Sequence, residues 1–83
     1  MKIAFKLFAS LSDYLPAERK GNRLELDVDE ATTVADLIAR YRIPRESAHL
    51  VLVNGVFVPP AARTSTVLNE GDELAIWPPI AGG

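Results

Sequence analysis

The stretch after Thr33 carries apolar residues at helical spacing over two turns and marks the main helix of this chain. Val34, Leu37, Ile38 and Tyr41 fall at i, i+3, i+4 and i+7, giving a single apolar stripe that a flat surface has to cover. The start is marked by Thr33-Val34-Ala35-Asp36, a capping box in which the threonine oxygen and the carboxylate three residues on satisfy orphan amides. Pro44 is expected to end the run. With one main helix in 83 residues, the rest of the apolar content has to form the sheet that this helix lies on.

The strands are read from alternation. Ile3, Phe5 and Leu7 alternate with Lys2, Ala4 and Lys6, and Leu24, Leu26 and Val28 alternate with Arg23, Glu25 and Asp27, so each segment has one buried face. Between them, Ser10 offers an N-cap for a short helical turn carrying Leu11, Tyr14 and Leu15, which Pro16 closes. Gly21 pivots the polar loop that follows, and the connection is short enough for an antiparallel pair. After the helix, Leu50 to Val53 is a short apolar run, Asn54-Gly55 supplies the positive-φ pair of a tight hairpin, and Val56-Phe57-Val58 returns. Pro59-Pro60 stops that strand, Asn69 to Asp72 forms another turn, and Leu74 and Ile76 place a last strand on the core. Two strands, a crossing helix, a hairpin and a final strand make an α+β chain with a mixed sheet under one main helix, the β-grasp architecture of ubiquitin-like proteins.

Composition removes several functions. A net charge of −2, with Lys2, Lys6, Lys20 and the arginines scattered, leaves no basic stripe, so no nucleic acid partner is expected. No apolar run approaches the roughly 20 residues of a membrane span, so no membrane partner is expected either. Met1-Lys2 leads straight into a strand pattern without a signal peptide, and a cytoplasmic location follows by default. The absence of cysteine excludes a disulfide scaffold, a thiolate zinc site and a cysteine nucleophile together. His49 is the sole histidine, with no second ligand or catalytic partner at a useful spacing, and reads as a loop or strand-edge residue. The chain is expected to bind no cofactor or metal and not to act as an enzyme by itself.

The remaining feature is the end of the sequence. Residues 1–77 form the expected domain, and residues 78–83, Pro78-Pro79-Ile80-Ala81-Gly82-Gly83, an extended, flexible tail. The prolines fix φ and hold the segment away from the body. The two glycines lack Cβ, so a backbone ending in them can thread a channel too narrow for side chains and present its carboxylate. Stretched out, the six residues reach roughly 20 Å. A Gly-Gly standing by itself is usually a frayed end; the preceding diproline and the fold pattern favour a chemical handle.

Phe8-Ala9 and Leu11 after the first strand, Thr33-Val34 with Asp36-Leu37 in the helix, Val53-Asn54-Gly55 at the hairpin, Gly71-Asp72-Glu73 at the last turn and Pro78-Pro79-Ile80-Ala81-Gly82-Gly83 at the end resemble the MoaD/ThiS family of ubiquitin-like sulfur carriers. The ending looks more like the molybdopterin synthase small subunit than the shorter thiamine-pathway carrier. The resemblance implies a cycle in which an adenylating, MoeB/ThiF-like activating enzyme uses ATP on the terminal carboxylate. A sulfur donor protein then converts it to a thiocarboxylate, and a large, MoaE-like molybdopterin synthase subunit takes the sulfur. It implies that Gly83 carries the activated carbon, that Gly82 is its slim neighbour, and that Trp77, Ile80 and Phe8 meet partners.

Other readings stay open on the residues alone. Trp77 is either a core aromatic at a strand end or an exposed docking residue. Phe8, out of phase with Ile3, Phe5 and Leu7, faces the other side of the sheet, covered by the short helix or left for a partner. Phe57 is a core or hairpin residue, or a third partner contact. Glu70, Asp72 and Glu73 read as a solvated turn cluster or as charges that steer a partner. A carrier for another sulfur acceptor such as thiamine, a ubiquitin-like modifier joined to lysines, and a binding module that shares only the fold are the competing functions.

Overall fold

A computed structural model describes residues 1–79. Its strands are β1 (Lys2–Leu7), β2 (Arg23–Asp27), β3 (Leu50–Val53), β4 (Val56–Phe57) and β5 (Glu73–Trp77), and its helix is α1 (Val34–Arg40). The strands form one mixed sheet in the order β2-β1-β5-β3-β4. β5 enters at the centre, parallel to β1 and antiparallel to β3, while β1–β2 and β3–β4 are antiparallel. The last strand therefore finds both its partners already in place, one from each half of the chain.

The registers explain the core. Phe5 lies opposite Leu24 on one side and Leu74 on the other, and Ile76 lies between Leu7 and Val51. Opposed residues share a sheet face, so the inward rows of β1, β2, β3 and β5 merge into one apolar surface. Phe5, Leu7, Val51, Leu74 and Ile76 are completely buried in it. α1 covers that surface with Val34 and Leu37, and Tyr41 packs its ring on Phe5 at 5.2 Å between centroids. Each such side chain withdrawn from water contributes about 1.5–3 kcal/mol. Leu11, Leu15, Ile43, Val58 and Leu68 close the edges of the same cluster.

Local signals held at most element ends. Thr33 and Asp36 form the reciprocal capping box, with Asp36 N–H donating to Thr33 Oγ1 at 3.1 Å and Thr33 N–H donating to Asp36 Oδ2 at 2.9 Å. Asn54 and Gly55 both have positive φ, 51° and 82°, the pair that a two-residue I′ hairpin requires. Gly21 pivots its loop at φ 64°.

Two local expectations need correction. Ser10 does not cap the short helix: the segment is a 3-10 turn, Ala9–Tyr14, with Phe8 at the cap position and no side-chain cap bond. Ala9 turns off β1 at φ 52°, so the turn begins one residue earlier than the serine. Nor does Pro44 end α1. The helix closes at Tyr41 in a Schellman motif, with Arg42 at φ 58°, Arg42 N–H donating to Ala39 C=O at 3.1 Å and Ile43 N–H donating to Ile38 C=O at 3.0 Å. The proline follows a helix already stopped.

Candidate docking face and the root of the tail

The face of the sheet opposite α1 has no covering element among the described residues, and the alternation that built the core decides what lies there. Arg23, Glu25 and Asp27 come from β2, Ala4 and Lys6 from β1, Glu73, Ala75 and Trp77 from β5, Leu50 and Leu52 from β3, and Phe57 from β4. This face is divided. On the β2 side, Lys6 Nζ meets Glu73 Oε1 at 3.1 Å, and Arg23 spans Glu73 and Glu25 at 3.5 Å each. These half-exposed pairs fix charge positions and contribute little stability.

The β3–β4 side is apolar. Trp77 pairs in register with Leu50, and Leu52 lies between Ala75 and Phe57, so these side chains form two adjoining rows. Phe8 completes the first row: its ring stacks on that of Trp77 with centroids 4.0 Å apart and planes 7° from parallel. Its backbone continues the β1–β5 ladder, Phe8 N–H donating to Ile76 C=O at 3.1 Å. Each ring shields one face of the other, which leaves both half-buried. Phe57 is 51% exposed and so is no core residue.

The tail leaves from this patch. Trp77 C=O accepts from His49 N–H at 3.1 Å, keeping β5 paired to its last residue, and Pro78 and Pro79 follow directly. Ile80, Ala81, Gly82 and Gly83 lie outside the described residues. Of the residues singled out from the sequence, the fold thus brings Phe8 and Trp77 into contact, sets Phe57 on the same face one row away, and roots Pro78 beside them. Leu50 and Leu52 were missed, although the inward setting of Val51 and Val53 implies their outward one.

The acidic turn has an internal role. Glu70 Oε1 accepts from Lys2 N–H at 3.0 Å, and Asp72 accepts from Asn54 Nδ2 and from Asn69 N–H, each at 2.8 Å. With Glu73 held by Lys6, these carboxylates tie β5 to its neighbours. Among the described residues no helix is long and apolar enough to cross a membrane.

A parallel β1–β5 centre, one helix across one face and a C-terminal strand that delivers a tail define a β-grasp protein of the ubiquitin-like class. The model of the ThiS family matches residues 6–83, nearly the whole chain, and the protein belongs to that family. No curated protein matches it by sequence. Among solved structures it is similar to SAMP1 from Haloferax volcanii, at 26% identity and a TM-score of 0.69 with both chains covered in full. It is also similar to the thiamine biosynthesis protein ThiS from Geobacter metallireducens, at 18% identity and a TM-score of 0.66, again over 100% of each chain. A Pyrococcus furiosus protein provisionally assigned as molybdopterin converting factor subunit 1 matches at 22% identity and a TM-score of 0.68, over 95% of this chain and 98% of that one. The last two likenesses establish the fold, which is that of MoaD/ThiS-like sulfur carriers and ubiquitin-like proteins.

Proposed function

We propose that this protein is a sulfur carrier whose Gly83 carboxylate is adenylated and then converted to a thiocarboxylate, and that the sulfur goes to molybdopterin, the precursor of molybdenum and tungsten cofactors. The observation that supports sulfur carriage is the family match running through to residue 83, so that the Pro-Pro and Gly-Gly ending lies inside the matched region, while the molybdopterin acceptor rests on the resemblance of that ending to the synthase small subunit. A carboxylate is a poor electrophile because its charge is delocalised and its leaving group would be oxide. Joining it to AMP at the expense of ATP releases pyrophosphate and supplies a leaving group, and sulfide-level sulfur delivered by the donor then displaces AMP from the carbonyl carbon. The resulting thiocarboxylate is a sulfur nucleophile that needs no cysteine, in keeping with a chain that has none.

In this scheme the protein supplies binding and delivery. The apolar rows of Phe8, Trp77, Leu50, Leu52 and Phe57 dock on an adenylating enzyme of the MoeB/ThiF type and then on a large, MoaE-like synthase subunit. Gly82 and Gly83 enter each active site, with Ile80 and Ala81 along the channel, and ATP is bound by the activating partner. The stacked rings are organised in the free protein, and the diproline restricts the tail, so less ordering has to accompany binding.

Intact mass spectrometry of the protein isolated from its native host tests the chemistry. A fraction with one terminal oxygen replaced by sulfur, localised to Gly83, is the expected result. Lysine adducts ending in Gly83 without any such fraction would overturn sulfur carriage in favour of a protein modifier. The acceptor is tested separately: loss of molybdoenzyme activity on deletion supports molybdopterin, and a thiamine requirement instead would exclude it.

A further inference from the structure

A cleft of about 580 Å³ opens on the other side of the molecule, between α1 and the Pro60–Ala62 turn. Ile38 and Ile43 line one side and Pro60 the other, and its polar side chains are Arg45, Arg63 and Thr64. The volume is within the ordinary range for small-molecule sites.

Arg63 is the unusual member. Among the described residues it is the one charged side chain in the interior, only 7% exposed, and no acid pairs with it. Its Nη2 donates to His49 C=O at 3.3 Å, while its Nε is sealed from solvent without any partner. Nη1 has no partner among the described residues and is not sealed off. Burial, and then the nearby charge of Arg45, hold the Arg63 guanidinium below its ordinary pKa. Glu46, next to Arg45 in sequence, is exposed and pairs with neither arginine. Clamping one carbonyl takes a single donor, whereas a guanidinium brings five and is costly to bury without a counterion. Two arginines at an apolar cleft without a carboxylate have the charge and the donors for an oxyanion, exposed Arg45 with its whole guanidinium fork and Arg63 with its open Nη1. The surrounding apolar walls ask for more than a bare ion.

We propose that this cleft is a binding site for a small organic oxyanion, a carboxylate or phosphate monoester on a compact apolar body, held by Arg45 and Arg63. The site is independent of the tail and of sulfur transfer, so either reading can fail without the other.

The test is a titration of the full-length, isotope-labelled protein by NMR with benzoate, phenyl phosphate, inorganic phosphate and benzyl alcohol. Benzoate or phenyl phosphate is expected to give saturable shifts at the amides of Ala35, Ala39 and Thr64 and at the Arg63 Nε–H, and comparing the two identifies the preferred oxyanion. Benzyl alcohol should not bind, and inorganic phosphate should bind more weakly than its phenyl ester. Arg45→Ala, at an exposed position, should weaken the organic anions about tenfold, the equivalent of one lost charge-assisted contact. Arg63→Lys keeps the charge but not the planar guanidinium that holds Nη1 open beside the His49 contact, and should weaken them too. Shifts that do not saturate, that survive Arg45→Ala unchanged, or that benzyl alcohol reproduces would overturn the proposal.

Discussion

Phe8 and Trp77 stack face to face 4.0 Å apart, joining the end of β1 to the root of the tail. The pair sits where the parallel β1–β5 ladder ends, so it seals the last rung of the sheet and at the same time forms the top row of the apolar open face. Phe8→Ala should keep the fold, because the inward rows of β1 and β5 are untouched. It should cost about 1–2 kcal/mol in urea unfolding, from the lost stack and the burial it gave. Trp77 is the sole tryptophan, so its fluorescence reports the change directly: the emission should move to the red as the indole meets water. An unshifted spectrum would mean that the two rings do not shield one another in solution.

Asn54 does two jobs at the hairpin. Its backbone takes the left-handed conformation, while its side chain donates to Asp72 Oδ1 at 2.8 Å and accepts from Glu73 N–H at 2.9 Å. The β3–β4 hairpin is thereby fastened to the turn that launches β5. Asn54→Gly relieves the backbone but loses both bonds, whereas Asn54→Ala loses them and adds strain. Alanine should therefore be the worse of the two, by about 1 kcal/mol, with glycine itself about 1–2 kcal/mol below the native protein. Chemical denaturation of the pair checks the order; equal stabilities would deny the strain.

At the end of α1 the same backbone argument runs in the stabilising direction. Arg42 occupies the left-handed position of the Schellman motif with an exposed side chain, and no ion pair among the described residues holds it there. Arg42→Gly should raise stability by up to about 1 kcal/mol, reduced by the greater freedom of glycine in the unfolded chain. A rise in the thermal midpoint is the readout, and a fall would show that the arginine side chain contributes packing along its stem.

What the sequence made legible follows from the range of each signal. Alternation in Ile3-Phe5-Leu7 and in Leu24-Leu26, the helical spacing from Val34 to Tyr41, and the Asn54-Gly55 pair are local rules, and each appears in the fold where it was read. The helix end was misread because Pro44 is a strong stop, while Arg42 at a positive φ gives no such sign; only the hydrogen bonds to Ile38 and Ala39 reveal it. Leu68 and Arg63 were missed for a related reason. Neither belongs to a periodic run, and each is buried because a loop returns to the core: Leu68 through its N–H to Thr32 C=O, Arg63 through its C=O to Ala35 N–H. On the open face, phase placed Phe8 on the side away from the core, while Trp77 stayed open between core and surface until its register with Leu50 was known. Their stacking depends on β5 lying beside β1, a long-range pairing that no local pattern encodes.

The tail can be separated from the fold by deletion. β5 ends at Trp77, whose carbonyl is held by His49 N–H, and its inward residues Leu74 and Ile76 are completely buried, so the strand needs nothing beyond it for its place. Removing Gly82 and Gly83 should leave the thermal midpoint and the amide spectrum of the body unchanged. In the proposed cycle it should abolish thiocarboxylate formation by the activating enzyme and ATP, since the carbon to be activated has gone. Gly82→Val makes the finer test: the carboxylate remains, but a branched side chain stands in the segment that has to thread the active site, and formation should fall at least tenfold for a steric cost of about 1.4 kcal/mol or more. If Gly82→Val is processed at the native rate, the glycines act only as a spacer. Phe8→Ala supplies the complementary comparison, because it leaves the tail intact and disturbs the docking face. A raised KM with little change in kcat would assign that face to binding, and a fall in kcat alone would count against it.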